Sequence, residues 1–315
     1  MELAELPVDD AARFAEAVNS LKPDELIELL EEAKKLLLKM YEGGVHPVAF
    51  TYPDTRYVFH GDLYGSFIQL YDIWERLGKR EVFEEWRLVF LGNYVDRGPK
   101  QVEALLLPLA LKAKRPRDVI ILRGNHEAPK GMEPLPHDFP LHLLKRYGKR
   151  GEEIYVKARE VFDAMPLALI VDRSVVAFHG GPSTLLIRKG CKSIECVYSD
   201  KVNENYLIEE YLWNDPAEMC SWEDEPEDCW SPNPVGKGFL WGPGVTRYFL
   251  RETKTKFIVR GNYPADGVKL FHRNKVVSVF TRTGVPFLNR KFGAWSPNFL
   301  EQGWDENPTK WKITL

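Results

Sequence analysis

Five short apolar runs in this chain end in the same manner, each passing into a glycine that sits beside aspartate, asparagine or histidine. Residues 57–59 run into His60-Gly61-Asp62-Leu63-Tyr64-Gly65, and residues 88–91 into Gly92-Asn93-Tyr94-Val95-Asp96-Arg97-Gly98. Residues 119–122 lead to Arg123-Gly124-Asn125-His126-Glu127, 175–178 to His179-Gly180-Gly181, and 257–259 to Arg260-Gly261-Asn262-Tyr263. Short runs rich in Val, Ile, Leu and Phe read as buried strands. In open α/β sheets the carboxyl end of the strands is where ligands bind. Glycine at such points lets the chain turn sharply and lets backbone approach a ligand. One turn of this kind carries little weight; five of one type confine the chain to an α/β fold with a polar cluster at its strand ends.

Further apolar runs at 167–171, 268–271 and 276–280 extend the strand set, and residues 66–78 and 100–114 read as helices between the first three strands. The last two runs flank His272-Arg273-Asn274-Lys275 and predict a hairpin. Residues 23–42 predict a helix: Pro23 suits its first turn, Asp24 and Glu25 its positive end, and Gly43-Gly44 its stop. Leu26, Leu30, Ala33, Leu37 and Met40 give that helix one apolar face. The segment holding Trp295, Trp304 and Trp311 carries too much aromatic surface to remain in water and is expected to pack back on the core. The expected organisation is a helical segment over 1–48, a catalytic domain over 49–290 and a Trp-containing tail over 291–315.

Composition narrows the function classes. With 46 acidic and 43 basic residues the formal net charge is −3, without the basic footprint of a nucleic-acid-coating protein. No apolar run approaches the roughly 18 residues of a membrane span, and the acidic start Met1-Glu2-Leu3-Ala4-Glu5 lacks the order of a signal peptide. A cytoplasmic protein without nucleic-acid or membrane partners is the expectation. The four cysteines fall as Cys191/Cys196 and Cys220/Cys229, neither with the spacing of a zinc knuckle. Free thiols are the default reading. Only three glutamines and 22 prolines lean towards a thermophile, for which local bridges 191–196 and 220–229 are the alternative.

Asp, Asn and His at strand ends are the oxygen and imidazole donors that first-row divalent metals take, and Arg97 offers a planar fork for phosphate. These residues resemble the PPP family of metal-dependent serine/threonine protein phosphatases, whose pattern is GDxHG, GDxVDRG, GNHE, HGG and a late histidine after a strand. The segments quoted above follow that order, and Leu212-Trp213-Asn214-Asp215-Pro216 is similar to the family's LWSDP. The resemblance covers about residues 55–285. It implies a metallophosphoesterase-like sandwich of two mixed β-sheets flanked by helices. It also implies one-step hydrolysis of phosphoserine or phosphothreonine monoesters in a phosphoprotein substrate, at two divalent metals (Mn, or Fe/Zn). By position it implies Asp62 as a ligand of the first metal and Asn125 and His179 as ligands of the second. His126 is implied as general acid, Asp96 as its orienting partner, and Arg97, His126 and Asn125 as phosphate-binding groups. Where the family has a second phosphate-binding arginine, this chain has Val235 or Lys237, and the family's C-terminal-loop aromatic has no clean match at 281–286.

Three ligand positions depart from the pattern: Tyr64 stands for a histidine, Asn93 for the aspartate that bridges both metals, and Asn262 for the late histidine. Asn93 keeps a carbonyl oxygen but loses the charge that holds two dications together, so its loss is expected to hurt most. Tyr64 would need to lose a proton of ordinary pKa about 10 to bind a metal. The remaining set, Asp62, Asn93, Asn125 and His179, has one carboxylate and is expected to hold one metal weakly or none. Each change is a single-base step, fitting a natural pseudoenzyme that binds phosphoproteins, a disabled variant of an active phosphatase, or an enzyme with a remodelled site. A nucleotide-directed metallophosphoesterase is the other alternative.

Overall fold

The computed structural model of the chain describes residues 1–39, 48–184, 205–301 and 307–315. Helices α1 (Ala11–Ser20) and α2 (Pro23–Lys39) come first. The sequence of α2 explains its burial: Leu26, Leu29, Leu30, Ala33 and Leu37 form a buried stripe that packs against α7, introduced below. Met40 and the expected stop at Gly43-Gly44 lie outside the described residues. Next come β1 (Val48–Thr51), β2 (Tyr57–His60), α3 (Ile68–Leu77), α4 (Lys79–Glu84), β3 (Arg87–Phe90), α5 (Gln101–Lys114) and β4 (Val119–Ile121). Helices α6 (Phe139–Tyr147) and α7 (Arg150–Asp163) follow, then strands β5 (Ala168–Val171) and β6 (Val175–Phe178). Helix α8 (Asn205–Trp213) precedes three very short strands, β7 (Asp215–Pro216), β8 (Trp230–Pro232) and β9 (Phe239–Trp241). The chain continues through α9 (Pro243–Thr253), β10 (Phe257–Arg260), β11 (Val268–Phe271), β12 (Val276–Val279), β13 (Gly293–Trp295) and β14 (Lys312–Thr314).

The strands form two large mixed sheets. One has the order β14-β13-β2-β3-β4, the other β1-β5-β6-β10-β12-β11. In the first, β2, β3 and β4 are parallel and β13 joins β2 antiparallel. In the second, β6, β10 and β12 are parallel, and β11 closes the expected hairpin, with Phe271 opposite Val276. Period-two alternation gives each sheet two apolar faces. The inner faces meet through Phe59, Val89 and Leu122 on one side and Leu169, Ala177, Val259 and Val277 on the other. The outer face of the first sheet is covered by the helices from α1 to α7, and that of the second by α8, α9 and the small sheet β7-β9-β8. The metallophosphoesterase-like sandwich is therefore the observed fold; the third sheet, β1, β13, β14 and helices α1, α4, α6, α7, α8 and α9 are additions to what the sequence pattern predicted.

Trp295 and Trp311 pack with the inner core, at 6.2 Å between ring centroids. The Trp295 indole nitrogen donates to the Pro308 carbonyl, so that segment does fold back; Trp304 is outside the described residues. The free-thiol reading is corrected for one pair. Cys220 and Cys229 form a disulfide, Cα atoms 5.7 Å apart, while Cys191 and Cys196 lie outside the described residues. Among the described residues no helix is long and apolar enough to cross a membrane.

Candidate active site

All five strand-to-loop turns converge where the two sheets meet. Asp62 pairs with Phe280 as an isolated bridge between them. At Gly61 a Cβ would lie 2.0 Å from the Val279 carbonyl oxygen, so only glycine lets the two backbones approach this closely. The turns are tight enough that Tyr64, Asn93, Asp96, Arg97 and Asn262 all take positive φ, between 45° and 67°. A left-handed conformation costs a non-glycine residue on the order of 1 kcal/mol or more, and five in one site mark a backbone shaped for a task other than stability. Glu127 ties the turns together. Its buried carboxylate accepts from the backbone N–H groups of Asn93 and Tyr94 at 2.8 Å, Gly124 at 3.1 Å and Val95 at 3.2 Å. Burial pushes its carboxyl up to about 7 despite those donors.

Asp62 is buried, and its Oδ1 accepts from the Asn262 backbone N–H at 2.9 Å. Its Oδ2 accepts from Asn93 Nδ2 at 2.9 Å. Burial pushes the Asp62 carboxyl up to about 6. The Asn93 side chain is fully engaged. Its Oδ1 accepts from the backbone N–H of His126 at 3.0 Å, and because that group can only donate, the amide orientation is fixed. The NH2 therefore faces inward, to Asp62 and to Tyr64 Oη at 2.8 Å. Tyr64 is buried against His126, Phe280 and Phe287. Burial and the Asp62 charge raise its phenol well above the ordinary value, which keeps it protonated. Phe287, one residue beyond the 281–286 stretch, thus brings an aromatic ring to the site.

Two acceptors in the site have no partner among the described residues. His179 Nδ1 bonds the Leu91 carbonyl oxygen at 2.8 Å, which places the proton on Nδ1 and the lone pair on Nε2. Nε2 is buried without a hydrogen bond. Burial pulls His179 down to about 3, so the ring is neutral. Asn125 donates through Nδ2 to Asn262 Oδ1 at 3.1 Å, and its own Oδ1 is buried and unpartnered. At Gly261 a Cβ would fall 2.7 Å from Asp62 Oδ1 and 3.2 Å from His179 Nδ1, so Asp62 and His179 flank the same glycine. By contrast His60, on the neighbouring turn, is satisfied: Nδ1 bonds the Val89 carbonyl and Nε2 accepts from Trp74.

The donor set fits one divalent cation and does not fit a pair. Asp62, Asn125 Oδ1 and His179 Nε2 present a charge and two orphaned lone pairs. Tyr64 presents a protonated phenol, Asn93 an NH2 group, and Asn262 an oxygen already taken by Asn125.

Beside this set, Asp96 is buried and accepts four hydrogen bonds. His126 Nδ1 and His137 Nδ1 reach its Oδ2 at 2.5 and 2.7 Å, and the backbone N–H groups of Asp138 and Phe139 reach its Oδ1 at 2.8 and 2.7 Å. Burial opposes its ionisation, but the two imidazoles outweigh that and hold the carboxyl well below its usual range. Burial lowers His126, against the pull of Asp96. His137 was not singled out by the sequence pattern; it sits in a loop with no motif. A cavity of about 800 Å³ opens over these residues, lined among others by Tyr64, Arg97, Asn125, His126, His137 and Asn262. Arg97 brings a buried Nε without a partner to it. Val235 and Lys237 both line it as well; Lys237 Nζ donates to the carbonyls of Met132 and Glu133 and lies 5.0 Å from the Trp213 ring centroid.

Comparison with known proteins agrees with this architecture. Residues 55–262 match the family of calcineurin-like phosphoesterases. The serine/threonine-protein phosphatase 4 catalytic subunit of Eremothecium gossypii is 30% identical over 249 residues, 76% of this chain and 74% of the relative. Its counterpart from Kluyveromyces lactis is 30% identical over 252 residues, 77% of this chain and 76% of the relative. Among solved structures, a protein serine/threonine phosphatase from Saccharomyces cerevisiae shares the fold, with a TM-score of 0.73 at 21% identity over 94% of this chain and 89% of that one.

Proposed function

The chain belongs to the calcineurin-like phosphoesterase family, in its serine/threonine protein phosphatase branch, and from that premise we propose that it captures phosphoserine and phosphothreonine side chains of proteins and hydrolyses them slowly or not at all. The observation that carries this reading is the fixed amide of Asn93, which turns N–H groups towards Asp62 where a two-metal centre needs a bridging carboxylate. Asp62, Asn125 and His179 would hold a single divalent ion, and Mn²⁺ suits that oxygen-rich set. Such an ion supplies Lewis acidity towards a phosphoryl oxygen.

The remaining work falls to the chain's own side chains. Arg97 brings its guanidinium to the cavity as a forked donor for phosphoryl oxygens, and Lys237 adds a second cation to the same wall. Asp96 holds His126 through Nδ1, which leaves Nε2 as the nitrogen that can give a proton to a leaving alkoxide. Burial lowers the His126 pKa against the pull of Asp96. Capture of the phosphoryl group needs neither a second metal nor that proton.

The test is fluorescence anisotropy with a phosphothreonine peptide and its unphosphorylated form, each in excess Mn²⁺. The phosphorylated peptide is expected to bind at least about tenfold more tightly, and Arg97→Ala to erase most of that difference, the loss of one charge-assisted pair. Equal affinity for both peptides would count against the proposal, as would rapid hydrolysis of a dinucleotide polyphosphate by a protein indifferent to phosphopeptides.

A further inference from the structure

Asp96, His126 and His137 bring three metal-binding atoms together outside the Asp62, Asn125 and His179 set. One ring nitrogen from each histidine and a carboxylate oxygen of Asp96 all lie within 4.8 Å of one another. Both imidazoles aim at the same oxygen, Asp96 Oδ2, from different elements: His126 from the turn after β4, His137 from the loop before α6. We propose that these three residues form a zinc site, in which Zn²⁺ enters between the two imidazoles and the carboxylate; each Nδ1 gives up its proton to solvent and each ring keeps or takes up one proton on Nε2, so that both bind as neutral imidazoles. The proposal goes beyond the phosphatase reading and does not depend on turnover.

Four features support it. Two imidazoles and one carboxylate are a ligand set that suits zinc, which binds nitrogen at about 2.0–2.1 Å and leaves a fourth position for water. The ligands are backed from behind, as metal sites require. His137 Nε2 is paired with Tyr155 Oη at 2.8 Å, and Asp96 Oδ1 is held by the Asp138 and Phe139 backbone. An entry path exists, because both histidines line the cavity. The carboxylates of Asp96 and Glu133 both favour a cation at His137, while Arg97 opposes one at His126. A zinc ion on Nδ1 would replace the hydrogen bond to Asp96 and hold His126 as a neutral imidazole, whose Nε2–H is a far weaker acid than an imidazolium. Occupancy of this site therefore switches off acid catalysis while leaving Asp62, Asn125 and His179 free.

Crystals of the intact chain soaked with zinc and measured at the zinc absorption edge decide the matter directly. An anomalous peak bonded to Asp96, His126 and His137 is expected. A peak beside Asp62 and His179 alone, or none near Asp96, overturns the proposal. In solution, zinc affinity is read by competition with a chromophoric chelator. His137→Gln is expected to weaken this zinc by about 100-fold and Tyr155→Phe by roughly 10-fold, whereas His179→Ala leaves it in place. Unchanged affinity in a folded His137→Gln protein also overturns the proposal; should that variant not fold, the crystal of the unaltered chain still answers.

Discussion

Asn93 differs from an aspartate by one NH2 group, and that group reverses what the position offers to Asp62. As asparagine it donates to the buried carboxylate and to Tyr64 while its oxygen holds the His126 backbone. Asn93→Asp would place a second carboxylate against Asp62 Oδ2, now 2.9 Å from a donor. Without metal the variant is expected to lose about 1–3 kcal/mol of stability, because a buried acceptor loses its donor. Excess Mn²⁺ should return that loss by binding the folded state. Urea melts with and without Mn²⁺ check this, and a variant as stable as the parent and equally indifferent to Mn²⁺ would contradict it. Asp62, Asn93, Asn125 and His179 could be picked out in advance because each sits one or two residues from a glycine at a strand end. His137 could not. Its importance comes from a loop brought to Asp96 by tertiary packing, and nothing in its immediate neighbours distinguishes it from a surface histidine. The unpartnered state of His179 Nε2 and the orientation of the Asn93 amide likewise exist only in three dimensions.

Helix α5 shows how an element carries both stability and a cost. It is buried around nearly its whole circumference, from Gln101 to Lys112, so Lys112 enters the core near its carboxyl end. There Nζ donates to the Pro116 and Val119 carbonyls, both at 2.5 Å, and burial pulls the amine down to about 7. The unfolded chain therefore holds a proton that the folded chain lacks between about 7 and the ordinary lysine value of 10.5, and stability rises with pH across that window. Thermal melts from pH 7 to 10 should show Lys112→Met flattening that rise relative to the parent; parallel curves would rule the assignment out. The eight strands read from apolar runs all exist, with ends shifted by about a residue, because a buried strand writes its burial into consecutive residues. Helix α6 leaves a weak periodic signal because it is short and buries only Phe139 and Leu143, and α7 because half of its residues are charged. Strands β7, β8 and β9, at two or three residues each, are too short to leave any periodic signal, and it is the Cys220–Cys229 bridge and Trp241 that seat their sheet.

At the scale of the whole molecule, two sheets packed face to face place their carboxyl ends around one cavity, and this is what makes five separate turns a single site. The architecture of a phosphatase is intact: Asp96 and His126 are paired and buried, Arg97 lines the cavity, and Glu127 locks the turns. Of the positions that depart from the family pattern, Tyr64, Asn93 and Asn262 bond to Asp62, to Asn125 and to one another where a second cation would need lone pairs, and Val235 or Lys237 in place of a second arginine lies on the cavity wall. On the proposed reading the three side chains change the chemistry and leave the fold as it is, so restoring them should restore turnover without rebuilding the protein. The most direct measurement is hydrolysis of an aryl phosphate in excess Mn²⁺, by this chain and by one carrying Tyr64→His, Asn93→Asp and Asn262→His. The restored protein is expected to turn over faster by roughly two orders of magnitude or more, with the unaltered chain near background. Equal rates in the two proteins would mean that the site already holds its metals through other residues, and the account of Asn93 as the lost bridge would be wrong.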